Sequence, residues 1–68
     1  MNTFMDSLII EHIELGNKLQ KLNDFLHGDE IQTLSDEDVA LLEIQYSFME
    51  GYLKVLARRL VILGYFNE

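Results

Sequence analysis

Residues 34–63 read LSDEDVALLEIQYSFMEGYLKVLARRLVIL. Ser35 stands before Asp36, Glu37 and Asp38, and an apolar periodicity follows at once. A serine hydroxyl accepts from the free amides of a first helical turn, and carboxylates there are stabilised by the helix dipole, so Ser35 is the expected N-cap. Leu34 and Val39 occupy the two positions of a hydrophobic staple. Val39, Leu42, Tyr46, Met49, Leu53, Leu56, Leu60 and Leu63 then recur at intervals of three and four, which is one face of a helix. Leu41, Ile44, Phe48, Gly51, Val55, Arg58 and Ile62 form a second heptad series on nearly the opposite side. Gln45, Tyr52 and Arg59 run in a file between the two. One stripe closes a hairpin, so the second asks for another partner.

Working outward, the chain has no proline to interrupt this helix, and Gly64 suits its end, leaving Tyr65 and Phe66 as an apolar tail. On the amino-terminal side, Met5, Leu8, His12, Leu15, Leu19, Leu22 and Leu26 give a matching seam. Thr3 is the expected N-cap of that first helix, with Asp6 in its first turn. Ile9, Ile13 and Gly16 form a smaller patch about 100° around from the seam, while Asn17, Lys21 and Asp24 make the far side polar. Gly28 is expected to end the helix in a left-handed conformation, with His27 facing the negative end of the dipole. A short polar connection, Asp29 to Thr33, follows. The expected architecture is all-α: a single domain over residues 1–68, an antiparallel two-helix hairpin with helix 1 over about 4–27, a turn at 28–34 and helix 2 over about 36–63.

The composition says why such a hairpin should not stand alone. A chain of 68 residues buries only about 60% of its unfolded surface, and one small core supplies about 3–5 kcal/mol. There is no cysteine, hence no disulfide and no thiolate metal site. Hydrophobic residues are 49% of the chain, but no apolar run approaches the roughly 20 residues that span a bilayer. The surplus apolar surface is therefore assigned to self-association into a homo-oligomeric helical bundle. Gly16 and Gly51 both fall in the second stripes, where each costs about 1 kcal/mol relative to alanine. Close approach of another hairpin, or of a ligand, would explain them. A net charge of −7 disfavours duplex nucleic acid and anionic membranes as partners. No secretory signal is expected, because the first residues lack a basic segment followed by an apolar core, and a cytoplasmic setting follows.

Catalysis finds little support in the residues. Ser7, Ser35 and Ser47 sit in no nucleophile motif, and His12 belongs to the seam, so the protein is not expected to be an enzyme. Asp24 and His27 have the spacing of a helical ligand pair, but helix 2 has no histidine to complete a metal site, so neither metal nor cofactor is expected. The five bases carry more information. Lys54 follows Glu50 by four residues and Lys18 follows Glu14 by four, both in the favoured order for a surface pair. Arg59 lies at the border of the two stripes, where a guanidinium needs an acceptor. In the hairpin, facing residue numbers add to about 62, which separates Lys18 and Lys21 from Arg58 and Arg59 by on the order of 25 Å. Two hairpins packed antiparallel through their second stripes would bring the lysines of one toward the arginines of the other, in two equivalent sites. Positive charge, a tyrosine face and an amide suit a nucleotide phosphate and base. Acids pairing with the arginines across the interface would serve the same charges without a ligand.

Glu11, Glu14, Leu15, Lys18, Leu19, Lys21, Leu22 and Phe25, then Leu34, Leu41, Leu42, Gln45, Met49, Tyr52, Leu56, Arg59 and Leu60, resemble the helical hairpin shared by phage anti-CBASS and anti-Thoeris nucleotide sponges. The likeness runs from about residue 8 to 60, and its more distinctive part is Gln45, Met49, Tyr52 and Arg59 after a leucine pair. It implies a phage protein, acting in the bacterial host cytoplasm, that binds cyclic nucleotide immune signals without cleaving them. Cyclic dinucleotides, cyclic trinucleotides and cyclic ADP-ribose types are the implied ligands, and dimers or hexamers the implied assembly. Carried onto this chain, Lys18, Lys21 and Arg59 would hold phosphates, Tyr52 would stack or hydrogen-bond, and Gln45 would orient the ligand. The aromatic that stacks on a base early in helix 1 corresponds to either Phe4 or His12. The alternative, from a different class, is a small acidic structural or protein-interaction hairpin with no nucleotide ligand.

Overall fold

The hydroxyl of Ser35 accepts the Asp38 amide at 3.1 Å and starts the second helix where the sequence indicates. In the computed structural model, which describes residues 3–65, two helices are present: α1 (Thr3–Leu26) and α2 (Asp36–Ile62). They pack antiparallel into a rod of 46 × 20 × 16 Å. Leu34 and Val39 are both half-buried, as staple positions should be. At the other end of α2, Gly64 takes φ 86. The Tyr65 amide reaches back to the Leu60 carbonyl at 2.9 Å, and the Gly64 amide to Val61 at 3.0 Å. This is a Schellman ending, which occupies carbonyls the helix leaves unpaired and needs a residue tolerant of positive φ. Phe66, placed by the sequence in an apolar tail, lies outside the described residues.

The start of α1 and the turn differ from expectation. Thr3 is already helical, so it is not the cap, and the residues before it lie outside the described residues. Gly28 is extended, at φ −95 and ψ 179, and not left-handed. A side chain there is disfavoured by crowding instead: a Cβ would sit 3.2 Å from the Asp24 carbonyl oxygen, a tight contact with backbone. His27 does face the end of α1, donating from Nδ1 to the Asn23 carbonyl at 2.8 Å. The connection is not irregular but forms a 3-10 helix, Asp29–Thr33. Thr33 closes it by donating from its hydroxyl to the Glu30 carbonyl at 2.7 Å.

The core is narrow. Leu8, Leu15, Leu19, Leu56 and Leu60 are its buried apolar residues, and Ile9, Met49 and Leu53 pack against it. All belong to the two seams except Ile9. Burying such a side chain stabilises by about 1.5–3 kcal/mol, which is modest against the entropy of ordering two long helices. The small patch of α1 divides: Ile9 joins the core, Gly16 faces the Leu53 side chain, and Ile13 stays exposed. Gly16 therefore abuts its own hairpin, and alanine there would make ordinary contact, with Leu53 Cδ1 at 4.0 Å. The second stripe of α2 is uncovered from end to end. Phe48 keeps 76% and Ile62 71% of its surface exposed, and Leu41, Ile44 and Val55 keep more than half.

Candidate binding site

Residues seven apart on a helix return to within about 20° of the same line. Gln45, Tyr52 and Arg59 are such a line on α2, and Phe4, Glu11 and Lys18 are such a line on α1. One contact shows that the two lines border the same groove between the helices: the Arg59 guanidinium carbon lies 5.6 Å from the centroid of the Phe4 ring. That is cation–π range. The antiparallel register then sets Glu11 level with Tyr52 and Lys18 level with Gln45, in rungs spaced by about 10 Å. On its outer side, the α2 line adjoins the uncovered stripe of Leu41, Ile44, Phe48, Val55 and Ile62.

The individual side chains have little other employment. Tyr52 is 45% exposed, and neither its hydroxyl nor Glu11, Lys18 or Lys21 has a hydrogen bond or ion pair among the described residues. The anticipated Glu14–Lys18 pair is thus not made, whereas Glu50 and Lys54 do meet, at 4.0 Å. Gln45 offers Nε2 to the Met49 thioether at 3.9 Å, a weak bond that a better acceptor would displace. Lys21 is exposed one turn beyond Lys18 on the outer face of α1, so it belongs to the turn end of the site and not to the groove line. Of the two candidates for a stacking ring, Phe4 stands on this groove, 57% exposed. His12 is half-buried in the seam and engaged in a contact there. Glu11 is the groove residue to which the sequence reading gave no role; its heptad spacing from Lys18 is the signal that marks it.

A hollow of about 410 Å³ lies elsewhere, at the turn, lined by Asp24, Phe25, Gly28, Asp29 and Glu30. Three carboxylates make it hostile to a phosphate, and Asp24 already accepts from Gln20 Nε2 at 2.9 Å. Charge therefore favours the groove over this hollow. No described helix is long and apolar enough to cross a membrane.

A two-helix hairpin with a narrow core, an uncovered apolar face and unengaged polar side chains along its edge has the makings of a binding scaffold. The chain belongs to the Sequestin family, whose family model matches residues 2–62. The family name denotes sequestration, which is the holding of a ligand and not its turnover. Neither a curated protein nor a solved structure matches the chain.

Proposed function

We propose that this Sequestin holds a cyclic nucleotide, unaltered, at the edge of an interface between two hairpins, and thereby keeps an immune signal from its receptor during phage infection of a bacterium. The observation that carries the proposal is the Arg59–Phe4 contact, which sets a cation and an aromatic ring on the groove that Lys18, Gln45 and Tyr52 also border. The interface itself is the Leu41 to Ile62 stripe. Its five large apolar side chains, Leu41, Ile44, Phe48, Val55 and Ile62, each keep more than half of their surface exposed on one face, and a contiguous apolar face of this kind marks an interaction surface. Gly51 stands at the middle of the stripe, exposed, with nothing within 4 Å of a Cβ built on it. An antiparallel pairing of α2 helices centred there would let the two backbones approach closely.

The symmetry of such a pair completes the site. A two-fold axis across antiparallel α2 helices keeps both polar files on the same face of the dimer and reverses one against the other. Arg59 and Phe4 of one hairpin then reach the level of Lys18 and Gln45 of its partner, with Lys21 nearby. Opposed cations hold the ligand's phosphates, Gln45 orients it, and Tyr52 offers a face for stacking or a hydroxyl for hydrogen bonding. Further association of dimers into a hexamer would use the exposed Ile10 and Ile13 of α1.

Thermal melting with a panel of cyclic dinucleotides, cyclic trinucleotides and cyclic ADP-ribose isomers tests the proposal. A ligand at 100 times its dissociation constant adds about 2.7 kcal/mol, which shifts the midpoint of a domain this small by many degrees. The competing reading, a hairpin that engages a host protein through its acidic surface, draws on the exposed carboxylates of Asp29, Glu30, Asp36, Glu37 and Asp38 at the turn end. It predicts a folded oligomer that melts at the same temperature with every nucleotide.

A further inference from the structure

In the single hairpin Arg59 is turned away from the interface it is proposed to serve. Its guanidinium carbon lies 5.6 Å from the centroid of the Phe4 ring, on the α1 side of its helix line, whereas the uncovered stripe of α2 lies on the other side. Among the described residues Arg59 has no hydrogen bond or ion pair. Its charge and its N–H donors are therefore uncommitted while the ring holds it. Phe4 is 57% exposed near the start of α1, and Arg59 is exposed in the last turn of α2, so packing locks neither side chain.

We infer that Phe4 is the positioning residue of the empty site: it keeps Arg59 beside the groove until an anionic ligand arrives, and the guanidinium then leaves the ring and swings across α2 to the interface. The inference rests on the nucleotide reading above. The two positions lie on opposite flanks of one helix line, so the guanidinium occupies one at a time. The chemistry of the ring suits this exchange. With twelve acids against five bases in the chain, a loose guanidinium would settle on a carboxylate, and a ligand would have to break that ion pair to recruit it. Phe4 is neutral and offers only the negative face of its ring. It orders a side chain of high rotamer entropy without neutralising it. A phosphate, which accepts two charge-assisted bonds from a guanidinium, outcompetes the ring; an uncharged nucleoside offers no such bond and leaves Arg59 on Phe4. The exchange thus selects for the phosphate of the ligand and not for its base.

The test is a double-mutant cycle of Phe4→Leu and Arg59→Ala, read by calorimetric titration of the intact oligomer. The probes are 3′,3′-cyclic di-AMP, cyclic tri-AMP and the cyclic ADP-ribose isomers, and the one bound most tightly carries the cycle. Because the ring contact is lost on binding, Phe4→Leu should favour binding more in the native background than in Arg59→Ala, by about two- to fivefold. That factor is the roughly 0.5–1 kcal/mol of an exposed cation–π pair at about 1.4 kcal/mol per tenfold. Stacking of the ring on a base, or a packing role of Phe4, enters both backgrounds alike and cancels. Phe4→Tyr, which keeps the ring face, should match the native chain. Without ligand, the Arg59 side-chain protons should show an upfield ring-current shift in NMR spectra that Phe4→Leu abolishes. An unshifted Arg59 in the free chain, equal effects of Phe4→Leu in the two backgrounds, or a coupling of opposite sign would overturn the exchange and leave the nucleotide reading standing. An absence of binding to every probe would remove that reading and this inference together.

Discussion

The Arg59 guanidinium lies over the Phe4 ring at 5.6 Å, tying the last turns of α2 to the first of α1 across the open end of the hairpin. The two residue numbers add to 63, so a single contact fixes which side chains of the heptad lines face each other. Arg59 is exposed, and an exposed cation–π pair is worth only about 0.5–1 kcal/mol. The pair is therefore weak enough for a ligand to separate, with a base taking either face of the ring.

Arg59→Ala should weaken ligand binding by at least about tenfold, the loss expected when a charge-assisted contact is removed. Lys54→Ala is the matched control: it removes a cation on the polar face, already beside Glu50 at 4.0 Å, and should leave affinity within about twofold. Equal losses in the two variants would show that net charge, and not the groove, determines binding.

Phe48→Glu should reduce the mass seen by light scattering, since Phe48 is 76% exposed in the hairpin and has no role there. Gly51→Leu is the sharper variant. Nothing lies within 4 Å of its Cβ, and leucine is a better helix former than glycine by most of about 1 kcal/mol, so the single hairpin gains. Loss of mass in a chain that keeps its helical circular dichroism would then report the interface alone; an unchanged mass in both variants contradicts the pairing.

Leu60→Ala should cost about 2–5 kcal/mol, because Leu60 is fully buried in the small core. Urea unfolding at fixed protein concentration measures it, the concentration being held because assembly adds to apparent stability. Ile62→Ala, two residues on and 71% exposed, should cost far less to the hairpin and should instead make the midpoint less dependent on concentration, because it weakens the assembly.

Ser35→Ala should lower stability by about 1 kcal/mol, by leaving the Asp38 amide without the 3.1 Å bond from the cap. Ser35→Gly should cost only a few tenths of a kcal/mol, since glycine takes the extended cap conformation readily. A loss for glycine as large as that for alanine would point away from capping.

Most of the hairpin was legible because its signals are local. Ser35 with three acids behind it, Gly64 past the last seam residue and leucines at three and four each follow from backbone hydrogen bonding or helix geometry, which sequence spacing encodes. Gly28 was misread because two different needs select glycine. Positive φ is one, as at Gly64; close approach of a carbonyl oxygen is the other, and it depends on how the chain leaves α1. Gly16 was misread for a related reason, since only the rotation of α1 against α2 decides that it meets Leu53. The 3-10 helix at Asp29–Thr33 has no apolar periodicity to reveal it. At the site, the sequence placed Gln45, Tyr52 and Arg59 on one line, but pairing that line with Phe4, Glu11 and Lys18 required the contact between Arg59 and Phe4.

The central claim, that the ligand is held and not consumed, is tested most directly by recovery. The protein is saturated with the cyclic nucleotide that raises its melting temperature most, freed of excess ligand, incubated and heat-denatured, and the released nucleotide is identified by mass spectrometry. The account predicts intact cyclic nucleotide in a fixed ratio to hairpins, one per site and two sites per dimer, and loss of that recovery with Arg59→Ala. A linear or otherwise altered product, or the absence of bound nucleotide from a folded oligomer, would contradict it.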